Sequence, residues 1–216
     1  MNKSDIKSGN VFAVPLLQDF GYAYVKLIQA EDCVPRPTHY KRLLKMYNRF
    51  EKQLNLNIDL KYFETDDILL APIILSGTPP LRGKDKWIHL GDSKLTEEDR
   101  SVPHFHEAYQ GGVYQKAYTD LLESKGSITY FTEEGVRRPV KHFSQVQHLR
   151  SYIHSSALGV QCQLSVFWMD RLGYAFEPKE EKGLKDYQWT WGTNIIRSNN
   201  FDISDMPKVK RLKVKE

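Results

Sequence analysis

The sequence predicts an α+β fold: a small antiparallel β-sheet or barrel with packed helices in the N-terminal half, and a mixed, more helical C-terminal half. Three observations carry this expectation. Short runs rich in β-forming residues crowd the N-terminus, as in Asn10–Leu16 and Tyr22–Ile28. Apolar residues spaced by three and four recur at Tyr40–Phe50, Tyr114–Leu122 and Leu158–Met169. Strand and helix signals alternate at unequal lengths, without the regular βαβ rhythm of a doubly wound sheet.

The first hairpin is read from SGNVFAVPLLQDFGYAYVKLI, Ser8 to Ile28. Gln18-Asp19-Phe20-Gly21 supplies turn chemistry, because Gly21 takes positive φ at no steric cost. In the second strand Ala23, Val25 and Leu27 share one face and Tyr22, Tyr24 and Lys26 the other. Since a lysine prefers water, the tyrosines are expected on the outer face. Pro35 and Pro37 then stop regular structure. Thr38 is expected to cap a helix reaching about Gln53, with Tyr40, Leu43, Leu44, Tyr47 and Phe50 on its buried side.

Asp66–Leu75 reads as a buried strand that Pro72 interrupts or bulges. Trp87–Leu90 is a short strand closed by Gly91-Asp92, and Thr96 with Glu97, Glu98 and Asp99 starts a helical turn before Pro103. Further on, the patterns give a helix over Val113–Glu123, a strand over Ser127–Thr132, and a helix capped by Ser144 and running through Val146, Leu149 and Ile153. Leu158–Leu172 fits strand and helix alternation alike, and its length favours the helix. The expected layout is a β-rich region with one helix over 1–105, an α+β region over 106–206 packed on the first as one unit, and a basic tail over 207–216.

Composition narrows the function classes. A chain of 216 residues that is 40% hydrophobic and 27% charged can bury a real core. Its longest apolar run, Ile68–Leu75, is far short of the roughly 20 residues a spanning helix needs, and no signal peptide is read at the N-terminus. Two widely separated cysteines, Cys33 and Cys162, suit free thiols in a cytoplasmic protein. The net charge of +4 resides in the last ten residues, where Lys208, Lys210, Arg211, Lys213 and Lys215 face only Glu216. The neutral body argues against nucleic acid as the partner. A nucleic-acid-binding module using the basic tail and exposed aromatics is the alternative reading.

Catalytic signals are weak throughout. His104 and His106, two residues apart, are the best metal candidates, yet they lie in a proline-flanked loop and no second ligand pair is spaced to complete a site. Ser144 is accounted for by helix capping, and no nucleophile elbow surrounds it. Gly77, Gly111 and Gly112 fit neither a phosphate loop nor a dinucleotide fingerprint. Adjacent acids such as Asp66-Asp67 and Glu133-Glu134 point to opposite faces of a strand. No enzyme and no cofactor are expected.

The segment Lys7–Leu16 followed by Gly21–Leu27 resembles the opening of the Immunity protein 26 family, in which a Gly-Asp-led strand ending in Pro-Leu precedes a polar turn and a second strand. Here Asn10 stands where Asp is usual, and Ala23 where Gly is common. Asp66–Leu69 and Lys86–Gly91 resemble the family's later strand pair. The resemblance covers about residues 7 to 105. It implies a bacterial protein that binds and neutralises a cognate polymorphic toxin domain, with no membrane involved. Such a protein needs aromatic anchors on a stable scaffold. The candidate partner contacts are Phe20, Tyr22, Tyr24, Asp66, Asp67 and Trp87.

Overall fold

The computed structural model describes residues 2, 5–37, 40–65, 67–83, 85–106, 129–131, 137–140, 150–151, 154–172, 174–176 and 209–211. Its main feature is a six-stranded sheet built from β1 (Asn10–Pro15), β2 (Tyr22–Gln29), β3 (Arg42–Glu51), β4 (Ile68–Leu75), β5 (Ile88–Asp92) and β10 (His154–Ser155). The order is β10-β4-β3-β2-β1-β5, so the sheet is open, with β10 and β5 at its edges. All pairings are antiparallel except β10 with β4. The sheet is therefore mixed and not a closed barrel.

Two smaller sheets follow. β6 (Phe105–His106), β7 (Thr129–Phe131), β8 (Arg137–Pro139) and β9 (Arg150–Ser151) pair in the order β8-β7-β6-β9. β11 (Tyr174–Phe176) pairs with β12 (Val209–Arg211), which lies inside the basic terminal run. Two helices are described, α1 (Glu97–Arg100) and α2 (Ala157–Arg171). The helix expected over 113–123 lies outside the described residues. Of the one expected from Ser144 to Ile153, the described part is the strand β9.

The first hairpin forms as its sequence dictates. A 3-10 turn at Leu17–Asp19 reverses the chain, Gly21 sits at φ +148°, and the Leu16 amide donates to the Gly21 carbonyl at 2.8 Å. A side chain at Gly21 would stand 2.6 Å from the Glu51 carbonyl oxygen, so close approach to β3 requires glycine here. In β4 three residues span from Leu70 to Ile73 where β3 uses two, Met46 to Leu44. The surplus falls at Ala71-Pro72, as expected of a proline that gives the ladder no N–H.

The helix expected from Thr38 to Gln53 is absent: residues 42–51 are β3, the centre of the sheet. Leu, Lys, Met and Arg favour a helix locally, but pairing with β2 and β4 overrides that preference. The misleading pattern has a physical origin. Both faces of β3 are covered, so Leu43 to Tyr47 are all buried and the period of two disappears.

The sheet's first face carries Phe12, Val14, Ala23, Val25, Leu27, Leu44, Met46 and Ile73, packed against Val160, Leu164 and Trp168 of α2. Those three residues recur at i, i+4 and i+8, so α2 presents one stripe to the sheet. Ser156 accepts from the Gly159 amide at 3.0 Å and so caps the helix entry. Gln161 donates to the Pro15 carbonyl at 2.7 Å, and Ser165 accepts from the Leu17 amide at 2.8 Å, pinning α2 to the first turn. Replacing the fully buried Leu164 with Ala should cost about 2–4 kcal/mol in urea unfolding, a core cavity penalty. An unchanged midpoint would mean that α2 does not cover this face.

Candidate partner-binding face

The second face of the sheet divides into three zones along the strands. At one end Ile28, Leu43 and Ile74 pack with Val102 and Phe105. At the other, Val11, Ala13, Tyr24 and Tyr47 pack with Ile58 and Phe63, the latter in the 3-10 segment Leu60–Glu64. Between them lies a buried ionic belt. Lys26 and Lys45 are directly opposite each other across β2 and β3, and both side chains are almost wholly buried.

The carboxylate of Asp99 joins them. It accepts from Lys26 Nζ at 2.5 Å and from Lys45 Nζ at 3.2 Å. Lys26 also donates to the carbonyls of Phe63 and Lys94, at 3.0 and 2.5 Å. Asp99 closes the capping box of α1 as well: its amide donates to Thr96 Oγ1 at 3.1 Å, and its carboxylate accepts from the Thr96 amide at 3.0 Å. Burial pushes the Lys26 pKa down, against the attraction of Asp99. Burial alone would raise the Asp99 pKa, but bonds from Lys26 and the Thr96 amide and the two ammonium charges outweigh it and hold the carboxyl low.

Where the second zone meets solvent, Arg49, Glu51, Tyr62 and Asp67 form a connected network. Arg49 donates to Glu51 Oε1 from Nε and Nη2, at 3.0 and 2.6 Å, and Tyr24 donates to Glu51 Oε2 at 2.8 Å. The guanidinium lies 5.8 Å from the Tyr24 ring centre and 5.2 Å from that of Tyr62. Tyr62 donates to Asp67 at 2.7 Å, and Asn48 donates to the same carboxylate at 3.0 Å. Burial and the Asp67 carboxylate push the Tyr62 pKa up to about 12, while bonds from Tyr62 and Asn48 hold Asp67 low. Arg49 remains 31% exposed and Glu51 21%. The patch therefore presents charged and aromatic groups that are already fixed in place.

The expected contact residues fall into three groups. Asp67 is exposed and part of this network, and Tyr22 is half-buried and paired with Glu51 across β2 and β3. Tyr24 is fully buried and offers only its hydroxyl to Glu51. The expectation that Tyr24 and Lys26 lie on an outer face is thus corrected: the alternation holds, but the segments around Phe63 and Asp99 cover that face. Phe20 is buried against Phe50 with Lys52 over its ring, and Trp87 is 2% exposed with its edge to Phe12. These two belong to the first-face core and are not brought to the patch. Asp66 lies outside the described residues.

His104 is exposed before β6, and the His106 side chain is not among those described. Among the described residues no three His, Cys, Asp or Glu side chains are placed to share a metal ion. Cys33 is a buried thiol whose pKa is pushed up to about 11, chiefly by burial. No described helix is long and apolar enough to cross a membrane. Arg49, Glu51 and Tyr62 escaped the sequence reading. Arg49 and Glu51 share a face only if residues 42–51 form a strand.

Residues 7–113 match the family described as Immunity protein 26. Over these residues the chain belongs to that family. The matched segment contains β1 to β5, α1 and β6, and with them both the ionic belt and the Arg49 network. α2, which covers the sheet's first face, lies beyond the Immunity protein 26 match. No curated protein and no solved structure matches the chain.

Removing the Asp99 carboxylate leaves two buried ammoniums facing each other. Asp99→Ala should cost about 3–5 kcal/mol of unfolding free energy. The folded Asp99 pKa lies below the ordinary 3.8, so this contribution is complete above that value and is lost as the pH falls through the folded pKa. Urea midpoints of the wild type should therefore drop below about pH 4, and that part of the drop should be missing in Asp99→Asn. Equal acid limbs in the two proteins would contradict the assignment.

Proposed function

We propose that the chain is an immunity protein that binds a cognate bacterial toxin domain and neutralises it by occlusion, without catalysis and without a cofactor. The observation that carries this reading is the family match across the segment that holds the Arg49 network. Tyrosine and arginine are the residue types in which binding energy concentrates. Here they are locked by Glu51 and Asp67, so a partner would order few side chains on docking. Residues 1–105 would carry the contact surface, 106–206 would complete the body, and 207–216 would add a basic tail. Binding would take place in the cytoplasm of the producing cell.

The charge distribution favours occlusion over mimicry of nucleic acid. A polynucleotide mimic would be strongly acidic, whereas this body is neutral and the patch alternates Arg49, Glu51 and Asp67.

The test is co-expression in a bacterial host with the toxin domain encoded by the neighbouring gene, followed by calorimetric titration of the purified pair. The wild type should restore growth, and Arg49→Ala and Tyr62→Ala should each weaken binding about 10- to 100-fold. If the wild type neither restores growth nor binds, the reading fails.

A further inference from the structure

The loop from β3 to the 3-10 segment Leu60–Glu64 carries a leucine that stays in water: Leu56 is 64% exposed. Its neighbours in the chain are held in place. Leu54 packs against the buried cluster of Tyr24, Tyr47 and Phe63, and Ile58 is buried within it. Asn55 lies against the Tyr24–Glu51 pair, and its side-chain oxygen accepts from the Asn57 amide at 2.9 Å. The Lys52 ammonium donates to the Phe20 carbonyl at 3.0 Å, and Asp59 accepts from the Lys61 amide at 2.9 Å. Leu56 is thus fixed outward, next to the Arg49 network, between two apolar residues that are fixed inward.

The surface around it is apolar as well. Tyr22, Leu54, Leu60, Tyr62, Ile88 and Leu90 pack on the same buried cluster, and each is only half-buried. A joined apolar surface with a polar border marks a contact site. The border charges alternate in sign: Lys52 and Lys61 stand with Asp59 and Asp67, and Arg49 with Glu51. A polyanion is held by accumulated positive charge, which this border does not supply. A lipid surface would have to strip water from these ions. A protein with an apolar recess inside a polar rim meets both features.

We propose that Leu56 is the apolar anchor of the toxin contact and inserts into an uncharged apolar recess of the toxin domain, with the Arg49 network at its border. This rests on the immunity reading above and adds to it the anchoring residue and the chemistry of the opposing surface. Because the loop is fixed before docking, burying Leu56 costs little ordering entropy.

Calorimetric titration of the full chain with the neighbouring gene's toxin domain tests the anchor. Leu56→Ala should weaken binding about 10-fold, and Leu56→Asp about 100-fold. Val34→Asp is the control. Val34 is 75% exposed on a loop bonded to the Arg100 carbonyl, outside the Arg49 network, and its variant should stay within about twofold of wild type. Urea midpoints should match wild type in all three, because each replaced side chain is exposed. If Leu56→Asp lowers its midpoint, Leu56→Gln is judged in its place.

An affinity within about threefold of wild type for Leu56→Asp overturns the anchor and leaves the immunity reading standing. An equal loss in Val34→Asp does the same. A wild type that neither binds nor protects sinks the immunity reading, and the anchor with it. Self-association of the wild type that Leu56→Asp abolishes, with toxin affinity unchanged, would assign the surface to a second copy of the chain and overturn the toxin contact.

Discussion

A single carboxylate ties this fold together. Asp99 is bonded to Lys26 across 73 positions of sequence and to Lys45 across 54, and it also caps the helix on which it sits. Burying three charged groups carries a heavy desolvation cost, and net stabilisation is not the reason to expect such a cluster. Its effect on register is clearer. A slip of one residue in β2 or β3 would turn a lysine onto the face with the apolar cluster of Phe12, Val25, Met46 and Leu164. The belt admits one pairing of the two strands and heavily penalises the neighbouring ones.

That constraint decides where recognition can occur. α2 covers one face of the sheet, and the other is closed over its middle by Phe63, Lys94 and Asp99. Side chains that a sheet would ordinarily show to solvent, such as Tyr24 and Lys26, are consumed by packing. Among the described residues the second face reaches solvent at the Arg49 end, where Arg49 and Glu51 stay partly exposed. The side chains there are held by their own hydrogen bonds. A partner that docks there meets groups whose positions are set before it arrives, which lowers the entropy it must overcome.

Much of this architecture was legible in the sequence, and the rest was hidden for definite reasons. The Tyr22–Ile28 alternation and the turn at Gly21 are local, and both appear as read. The helix expected over 158–172 is α2, where length resolved an ambiguous pattern. β3 was read as a helix because a strand buried on both sides loses its alternation, and because Lys45 looks like a solvent residue until its counter-ion is known. The residues Thr96 to Asp99 were legible as a helix start, but nothing in their spacing tells that Asp99 also answers two lysines far upstream. Trp87 is a contact candidate by its residue type alone. Type cannot separate an anchor from a core residue, and Trp87 packs on Phe12.

The balance of charge also shapes how such a face would work. Excess positive charge sits in the last ten residues, while the body is neutral and its exposed network pairs Arg49 with Glu51 within 3.0 Å. Paired charges of opposite sign cancel beyond a Debye length and steer a partner only weakly from afar. Discrimination would then fall to close range, where each fixed group must find its complement or be left desolvated and unpaired. On such a surface a mismatched partner is rejected after encounter, through fast dissociation. An immunity protein with this arrangement would owe its specificity to the lifetime of the correct complex, and the rigidity that Asp99 imposes on β2 and β3 is what would make that lifetime sensitive to a single misplaced side chain.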